Sequence, residues 1–429
     1  MERICSIIEV EAQRSLHLPY ASIKIKLLMN LIMNKPIIKS FKYRLQVSKT
    51  INAKLENTLD LCRFLYNSAL RERKDAWTIN RININRFDQD KQLPEIKQTN
   101  PEYKDIHSQV LQDVLKRLDK SFQGFFRRIK ANQKAGFPRF KGKNRFDSFC
   151  YAQSGFSLSG NKLTLSKIGK VKIKLSREMI GKVKTLTIKQ ECGKWFAIFT
   201  VETAIEPLPK TGESIGIDAG IESFITLSDG TQVDNWKYYE QSQKKLRVAQ
   251  RSVSRKKKGS NCRRKAVDRL RKIHQKIKNQ RADFQHKLST HLVKEYDLIA
   301  IEKLNILGLS KGILAKQVND AAWSSFFQKL KSKAEYADRK LIEVNPNYTS
   351  QACSQCGNIV KKDLSVRIHH CLVCNLKIGR DYNAAINILN IGLGQNTENK
   401  SVPSHRGSLK DIKWAVAPCL SLESTSNLL

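Results

Sequence analysis

The chain has few acidic residues and no long hydrophobic run among its 429 residues. The apolar run over residues 27–33 is too short to cross a bilayer. Glu9 and Glu11 interrupt the region in which a secretory signal would need an apolar core. These absences predict a soluble protein with no membrane partner, and the length allows two to three domains.

The ten cysteines do not have the spacing of a disulfide framework. Four of them form one cluster, and the other six are scattered along the chain: Cys5, Cys62, Cys150, Cys192, Cys262 and Cys419. This distribution is typical of a protein in a reducing cytoplasm that uses cysteine at one metal site.

Basic residues outnumber acidic ones: Lys and Arg total 78 against 39 for Asp and Glu, which gives a formal net charge of +39. Solubility alone does not require such an excess, so the composition predicts a polyanionic partner, and nucleic acid fits best. Each phosphate that the protein neutralises releases counterions, so we expect binding to weaken steeply as salt rises.

The two ends of the chain differ from its middle. Residues 1–32 are open to two interpretations: an upstream extension without function, with Met33 as the natural start, or a genuine part of the protein. Residues 395–429 are polar and lack periodicity, which predicts a disordered tail. The best linker is Pro207-Leu208-Pro209, which divides the rest into regions 33–206 and 207–394.

The first region combines strand and helix patterns. Apolar residues alternate with cations over residues 41–47, which predicts a half-buried strand with a cationic face. Similar alternation returns over 163–175 and 185–201. Between them, helical spacing covers 51–70 and the stretch from Val110 to about Lys130. We predict a small β-barrel with a helical insert at about residues 50–150.

Ten cations are candidate nucleic-acid contacts. A basic loop over residues 135–143 places Phe137 and Phe140 among three of them, a composition suited to tracking phosphates and stacking on bases. The others lie in a cationic helical region from about Glu240 to Glu295, where their density favours contact over simple solvation. The ten are Arg139, Lys141, Lys143, Arg255, Lys256, Lys257, Lys258, Arg263, Arg264 and Lys265.

Phenylalanines on the helix that follows Val110 have a different predicted role. Phe122 and Phe126 share one side of that helix, opposite its cations. Because aromatic residues at helical spacing are usually buried, we predict that both pack in the core.

Three carboxylates follow or precede regular elements in the second region. Asp218 ends the apolar run 215–217, Glu302 ends the run 298–301, and Asp381 opens a helical stretch. A single Asp after an apolar run is common, so the order and context of all three carry the prediction. Carboxylates placed together repel one another, and divalent cations remove that penalty. Two cations clamp the attacking and leaving oxygens of a phosphodiester, and Mg²⁺ suits all-oxygen ligands.

A four-cysteine cluster lies between the second and third carboxylates. Two Cys-x-x-Cys pairs, 14 residues apart, consist of Cys353, Cys356, Cys371 and Cys374. Two such pairs complete a tetrahedral Zn²⁺ shell with no open position, so the predicted role of the ion is structural. His369 and His370 adjoin the second pair and are interpreted as flanking residues.

Four stretches of the second region form a combined signature: GIDAG at 216–220, IEKLN at 301–305, NPNYTSQACSQCG at 345–357 and RDYNAAIN at 380–387. Together they resemble the TnpB (OrfB) family of transposon-encoded proteins, which are related to type V CRISPR effectors. The segment LCRFLYNSAL at 61–70 is similar to the N-terminal helix-turn-helix region of that family. The resemblance extends from about Met33 to Gly394.

This resemblance implies a fold and a set of cofactors. Residues 207–394 would form an α/β RNase H-like (RuvC) nuclease domain with an inserted zinc ribbon, at about 345–380, that binds target nucleic acid. The catalytic triad would be Asp218, Glu302 and Asp381, holding two Mg²⁺ ions, with one structural Zn²⁺ on the cysteines. Residues 33–206 would form an N-terminal β-barrel (wedge) with a helical recognition insert.

The resemblance also implies a function and partners. The protein would use a guide RNA from the transposon end to cleave DNA beside a short motif, in support of DNA transposition and recombination. Its location would be the cytoplasm of a prokaryote, at the nucleoid. Three positions depart from the family: Lys303 and Gly379 replace frequent acidic residues, and Asn375 replaces a frequent Gly. None is an expected metal ligand, although Gly379 reduces the negative charge near the triad.

Two other functions compete with the guided nuclease. One is a nuclease-inactive protein of the same fold that binds DNA and RNA as a transposition accessory or regulator; the intact triad argues against it. The other is a strand-transferring transposase with a His-x-His metal pair and a tyrosine nucleophile. The adjacent His369 and His370 lack that spacing, and no other histidines form a close pair.

Overall fold

A computed structural model describes residues 36–143, 145–363 and 365–394. The predicted extension at 1–32 and tail at 395–429 lie outside these ranges. The chain forms two compact units that divide after Ala204, two residues before the predicted boundary. In the described ranges no helix is long and apolar enough to cross a membrane.

The first unit contains a seven-stranded antiparallel sheet in the order β2-β6-β7-β1-β5-β4-β3. Its strands are β1 (Ile37–Gln46), β2 (Ser148–Tyr151), β3 (Phe156–Ser159), β4 (Lys162–Leu165), β5 (Gly169–Lys174), β6 (Lys182–Glu191) and β7 (Lys194–Thr203). The alternation predicted for β1 is present: Phe41, Tyr43 and Leu45 are buried, and the cations between them are exposed. All the predicted strands of this region therefore lie in one sheet.

Closure of this sheet into a barrel stays a prediction. The sheet curls, so that the Tyr151 ring of edge strand β2 lies 6.3 Å from the Phe156 ring of edge strand β3. Within the described ranges, however, no backbone pairing joins these two edges. Hydrogen bonds between edge strands are what would make a true barrel.

The helices between β1 and β2 are α1 (Lys49–Asn80), α2 (Arg86–Thr99) and α3 (Ser108–Lys130), with a 3-10 turn at Pro101–Asp105. Ser48 caps α1 by accepting a hydrogen bond from the backbone of Ile51. The prediction that Phe126 is a core residue is wrong, because its side chain is 59% exposed. Phe122, one turn earlier, is partly buried against the core as predicted. The last turns of α3 therefore extend past the core.

The second unit is built on a five-stranded mixed sheet in the order β10-β9-β8-β11-β12. Its strands are β8 (Ser214–Asp218), β9 (Ser223–Leu227), β10 (Gln232–Asp234), β11 (Leu298–Glu302) and β12 (Lys340–Val344). Strands β8, β11 and β12 are parallel, while β9 and β10 form an antiparallel extension of β8. Parallel neighbours require a crossover, and helices supply it here.

In the part of this unit that the structure describes, six helices and a small hairpin complete the fold. They are α4 (Tyr238–Ser254), α5 (Asn261–Glu295), α6 (Ile306–Leu309), α7 (Ala315–Ala321), α8 (Trp323–Tyr336), the hairpin of β13 (Ile368–His370) and β14 (Lys377–Gly379), and α9 (Arg380–Gly392). The cationic helical region predicted between Glu240 and Glu295 is therefore two helices. Gly259 separates them with a φ of +86°, and Ser260 caps the second.

Helix α9 lies directly against the sheet at two close approaches. A Cβ on Gly216 of β8 would be 2.2 Å from the backbone oxygen of Ala385 and 2.7 Å from the backbone nitrogen of Leu389. A Cβ on Gly392 would be 2.6 Å from the Ala300 Cβ in β11. Only glycine permits these contacts, and they hold the middle and the end of α9 against β8 and β11.

Candidate active site

Asp218 and Glu302 lie side by side at the ends of two parallel strands. Strand β8 pairs with β11 in a register that matches Leu298 with Ser214 and Ile301 with Ile217. The offset is 84 at both pairs (298 − 214 and 301 − 217), and Asp218 and Glu302 are the residues that directly follow the last matched pair, Ile217 and Ile301. Because carboxyl ends of parallel strands share one sheet edge, the two carboxylates face the same space.

Asp381 reaches the same edge from α9. It occupies the first turn of that helix, directly after the β13–β14 hairpin. Its Oδ2 atom would lie 3.7 Å from a Cβ built on Gly220, in the loop that follows Asp218. The structure thus brings together all three predicted carboxylates, which are separated by up to 163 positions in the sequence (381 − 218).

The electrostatics of this group favour a bound cation. Burial raises the pKa of Asp218 well above its usual range, and the negative charges of Glu302 and Asp381 raise it further. The Arg380 guanidinium acts in the opposite direction. Burial also raises the pKa of Glu302. It costs free energy to ionise carboxylates that are partly buried and repel one another. A bound divalent cation removes that penalty.

The carboxylates do not converge on a single point. Among the described residues, only the four cysteines place three or more ligand atoms all within 4.8 Å of one another. A two-metal site does not require such convergence, since its ions are about 3.5–4 Å apart and each takes a different subset of ligands.

The raised pKa values predict how stability changes with pH. Without metal, folded Asp218 and Glu302 keep protons that the unfolded chain has already lost, so the free energy of unfolding falls as pH rises through their folded pKa values. We expect Asp218→Asn to melt about 2–4 °C above the wild type at about pH 8 without Mg²⁺, for each ~1 kcal/mol of relieved repulsion. The gain should shrink at about pH 5. Calorimetry checks this; a variant that melts below the wild type at the higher pH contradicts it.

Thr349 is a supporting residue that the sequence analysis missed. Its side chain is buried, and its hydroxyl donates a hydrogen bond to Oε1 of Glu302. The hydroxyl also lies 3.1 Å from the backbone oxygen of Pro346. The bond to Glu302 favours the ionised carboxylate and opposes the effect of burial on its pKa. Thr349 thereby orients one of the three carboxylates.

The four cysteines form a compact sulfur cluster beside this loop. The Sγ atoms of Cys353 and Cys374 are 3.5 Å apart, as are those of Cys356 and Cys371. All four lie within 4.8 Å of one another. Zn–S bonds of about 2.3 Å in a tetrahedron place sulfurs about 3.8 Å apart, so the cluster has the right size for zinc.

Matching turns follow the two cysteine pairs. The backbone of Cys353 donates to the oxygen of Asn358 at 2.8 Å, and that of Cys371 donates to the oxygen of Leu376 at 2.9 Å. Gly357 and Asn375 occupy equivalent left-handed positions, with φ of +77° and +59°. Asn is among the few residues that adopt this conformation at low cost. The departure from the family at Asn375 therefore leaves the turn intact.

Two asparagines of α9 join the cysteine cluster to the carboxylates. The Asn383 amide donates to the oxygen of Ala352 at 2.7 Å and accepts from the backbone of Ser354 at 2.9 Å. The Asn387 amide, one turn later, donates to the oxygens of Thr349 and Ala352, both at 2.8 Å. We call this pair the asparagine clamp. It fixes the first cysteine turn, the Thr349 loop and the helix of Asp381 against one another.

Removing the Thr349 hydroxyl tests this arrangement. We expect Thr349→Val, which keeps the shape and loses the donor, to weaken divalent-cation binding by about 10–100-fold. Mn²⁺ binding followed by electron paramagnetic resonance measures this without relying on cleavage. Thr349→Ser retains the hydroxyl and should bind Mn²⁺ like the wild type. Equal affinity for the Val and Ser variants, with unchanged melting, would remove Thr349 from the site.

The histidines beside the cluster differ in their surroundings. His369 is fully buried, and its Nδ1 contacts Nζ of Lys362. Burial and the charge of Lys362 lower the pKa of His369 to about 4. His370, in contrast, is exposed. Neither belongs to the four-sulfur group, and their assignment as flanking residues stays a prediction.

The ten candidate nucleic-acid cations are held in different ways. The guanidinium of Arg263 donates to the oxygens of Val253 and Lys256, at 2.9 and 3.0 Å, and closes the turn between α4 and α5. Lys143 pairs with Asp60 at 3.4 Å. Half-buried Lys141 lies 5.5 Å from the Tyr66 ring centre. Six others are exposed and Lys256 is half-buried: Arg139, Arg255, Lys256, Lys257, Lys258, Arg264 and Lys265. Contact with nucleic acid stays a prediction for all ten.

Comparison with known proteins identifies the family of this chain. A protein of Streptomyces pristinaespiralis named "Putative RNA-guided DNA endonuclease" is 33% identical over 394 residues, which cover 90% of this chain and 96% of the relative. The chain belongs to the TnpB (OrfB) family. A second relative, InsQ of Escherichia coli K12, has the same descriptive name and is 32% identical over 377 residues, covering 83% of this chain and 92% of its own.

Three family models match parts of this TnpB-family chain. A "Helix-turn-helix domain" model matches residues 33–81, a "Probable transposase" model matches 197–312, and a "Cas12f1-like, TNB domain" model matches 323–388. Among solved structures, the Cas12f1 chain of a cryo-EM complex with sgRNA and target DNA superposes with a TM-score of 0.52 at 13% identity. It covers 83% of this chain and 99% of its own. The fold is thus of the Cas12 nuclease type, consistent with a RuvC-containing architecture.

Proposed function

We propose that this TnpB-family protein is an RNA-guided DNA endonuclease that hydrolyses phosphodiester bonds with two Mg²⁺ ions held by Asp218, Glu302 and Asp381. The observation that carries the proposal is the parallel pairing of β8 and β11, two neighbouring strands that end at Asp218 and Glu302 on one sheet edge. Helix α9 adds Asp381 at the same edge. The relatives named as RNA-guided DNA endonucleases match along nearly their whole length.

The residues of this chain would divide the work as follows. Asp218, whose pKa is raised by burial and by both of the other carboxylates, would be a ligand of the cations. Glu302, oriented by Thr349, and Asp381, at the start of α9, would supply the other carboxylate ligands. Bound divalent cations supply an activated water and stabilise the charge on the attacking and leaving oxygens.

A guide RNA and a DNA target complete the proposal. The net charge of +39 suits a protein that holds two polyanions at once. We further propose that the RNA comes from the transposon end, that cleavage occurs beside a short DNA motif, that one structural Zn²⁺ fills the cysteine cluster, and that the protein acts on DNA of the nucleoid. These activities would be associated with transposition and recombination of the element.

The test begins with the protein purified from its native host. Its bound RNA is sequenced, and the complex is then offered a DNA library with a guide-matched target and randomised flanks, in the presence of Mg²⁺. We expect cleavage of library members that share one flanking motif. Binding to the matched target without cleavage would instead favour the nuclease-inactive regulator, and the absence of any specific bound RNA would contradict guidance.

A further inference from the structure

An exposed group of phenylalanine rings lies where α3 ends and the following loop folds back. The side chains of Phe126, Phe137 and Phe140 are 59%, 45% and 51% exposed. The Phe137 ring lies edge-on to Phe122 and Phe125, at centroid distances of 5.5 and 5.4 Å, and Phe126 lies 5.3 Å from Phe125. We call Phe125, Phe126 and Phe137, together with the exposed Phe140 three residues further along the same loop, the phenylalanine platform.

The platform is held in place by the surrounding structure. Phe122, beneath it, packs against the core, and the Arg73 guanidinium lies 5.2 Å from its ring centre. The Asn67 side chain donates to the backbone oxygen of Lys141 at 3.0 Å and accepts from its backbone nitrogen at 2.8 Å. The loop that presents Phe137 and Phe140 is therefore anchored to α1, although it lacks regular secondary structure.

The stretch between Phe122 and Phe146, which carries the platform, contains no acidic residue, although Lys143 pairs with Asp60 of α1. That stretch contains eight cations, of which Lys141 is half-buried and the others are exposed: Arg127, Arg128, Lys130, Lys134, Arg139, Lys141, Lys143 and Arg145. An apolar protein surface would cover the rings and leave this charge unmatched. A polynucleotide matches both features, since bases stack on aromatic rings and phosphates pair with cations.

The exposed rings favour a single-stranded over a double-stranded polynucleotide. Bases inside a duplex already stack on one another and expose only their edges in the grooves. Unpaired bases have free faces, and aromatic side chains take them without sequence preference. We propose that the phenylalanine platform is a binding site for unpaired nucleotides of a single-stranded RNA or DNA segment. This inference deepens the proposed function, because it assigns a place to part of the nucleic acid.

The experiment compares full-length protein with the double variant Phe126→Leu/Phe140→Leu. Leucine keeps the apolar character and removes the rings, and both positions are more than half exposed, so the fold should tolerate the change. The control is Phe87→Leu, a ring that is 68% exposed on α2. Probes are oligo(U), oligo(dT) and a blunt duplex, each of about 12 nucleotides or base pairs. Fluorescence anisotropy without Mg²⁺ gives affinities, and 2-aminopurine quenching reports stacking.

We expect the double variant to lose about 10-fold in single-strand affinity and most of the quenching, with duplex binding and the salt slope unchanged. A larger loss of affinity for oligo(U) than for oligo(dT) assigns the platform to RNA. A larger loss of affinity for oligo(dT) assigns it to DNA. Wild-type affinity and quenching in the variant would overturn the proposal, as would an equal loss in Phe87→Leu. Since no readout requires cleavage, a failure of the platform is distinguishable from a failure of the nuclease.

Discussion

Asp218→Asn should reduce guided DNA cleavage by about 10³-fold, equivalent to the loss of about 4 kcal/mol of transition-state stabilisation. The substitution keeps the shape of the side chain and removes a charge that interacts with two other carboxylates, Glu302 and Asp381. It should leave the amount of copurified RNA and the affinity for target DNA unchanged, because the charge that attracts nucleic acid lies elsewhere. Single-turnover cleavage and a binding assay on the same preparation measure the two effects.

The matched control for this prediction is Asp283→Asn. Asp283 is an exposed carboxylate of α5 that pairs with Lys287, and the same atoms change. It should cleave at the wild-type rate. If Asp218→Asn cleaved DNA at a rate close to that of the control, Asp218 would have no part in the reaction. That conclusion would hold regardless of the results for Glu302 and Asp381.

Cys371→Ser should cost the protein its zinc, the fold of the cysteine turns and at least about 100-fold in cleavage. Structural zinc contributes about 10–16 kcal/mol to the folding of small modules, so a module without it unfolds. The damage should spread, because the asparagine clamp holds the first cysteine turn and the Thr349 loop together. Loss of that contact would release Glu302 from its hydrogen bond with Thr349.

The same change at an exposed cysteine gives the control. Cys262 lies on the surface at the start of α5, and Cys262→Ser should keep one zinc per chain and full activity. Zinc is counted by mass spectrometry, and hydrogen exchange reports the order of residues 345–380. If Cys371→Ser were to lose zinc while its cleavage and the exchange of Thr349 stayed at wild-type values, the coupling through the asparagine clamp would be absent.

Local sequence patterns predicted the elements that are stabilised by their own periodicity or spacing. Alternation gave strand β1, helical spacing gave α1 and α3, and the paired cysteines predicted the sulfur cluster. The three carboxylates were found because each lies at the end or start of a regular element within a family signature. Their common location at one sheet edge depends on parallel pairing of strands far apart in sequence, which a local pattern does not specify.

Other features had no local signal. Helix α2 contains Pro94 and is mostly polar, so its apolar pattern is weak. Phe126 follows the same helical periodicity as the buried residues of α3. The core does not extend as far as the last turns of that helix, so the Phe126 side chain is exposed. Thr349 lies in a loop, and its importance comes from a bond to a residue 47 positions away. In each case a tertiary contact, or its absence, decided the outcome.

Anomalous diffraction from crystals soaked in Mn²⁺ is the most direct test of the proposed two-metal site. If Asp218, Glu302 and Asp381 jointly hold a pair of cations, two manganese peaks will lie about 3.5–4 Å apart at the ends of β8 and β11, with Asp218 touching both. Crystals of Asp218→Asn will show a weakened pair or none. A single peak that Asp218 does not contact, or manganese bound only elsewhere, would contradict the account.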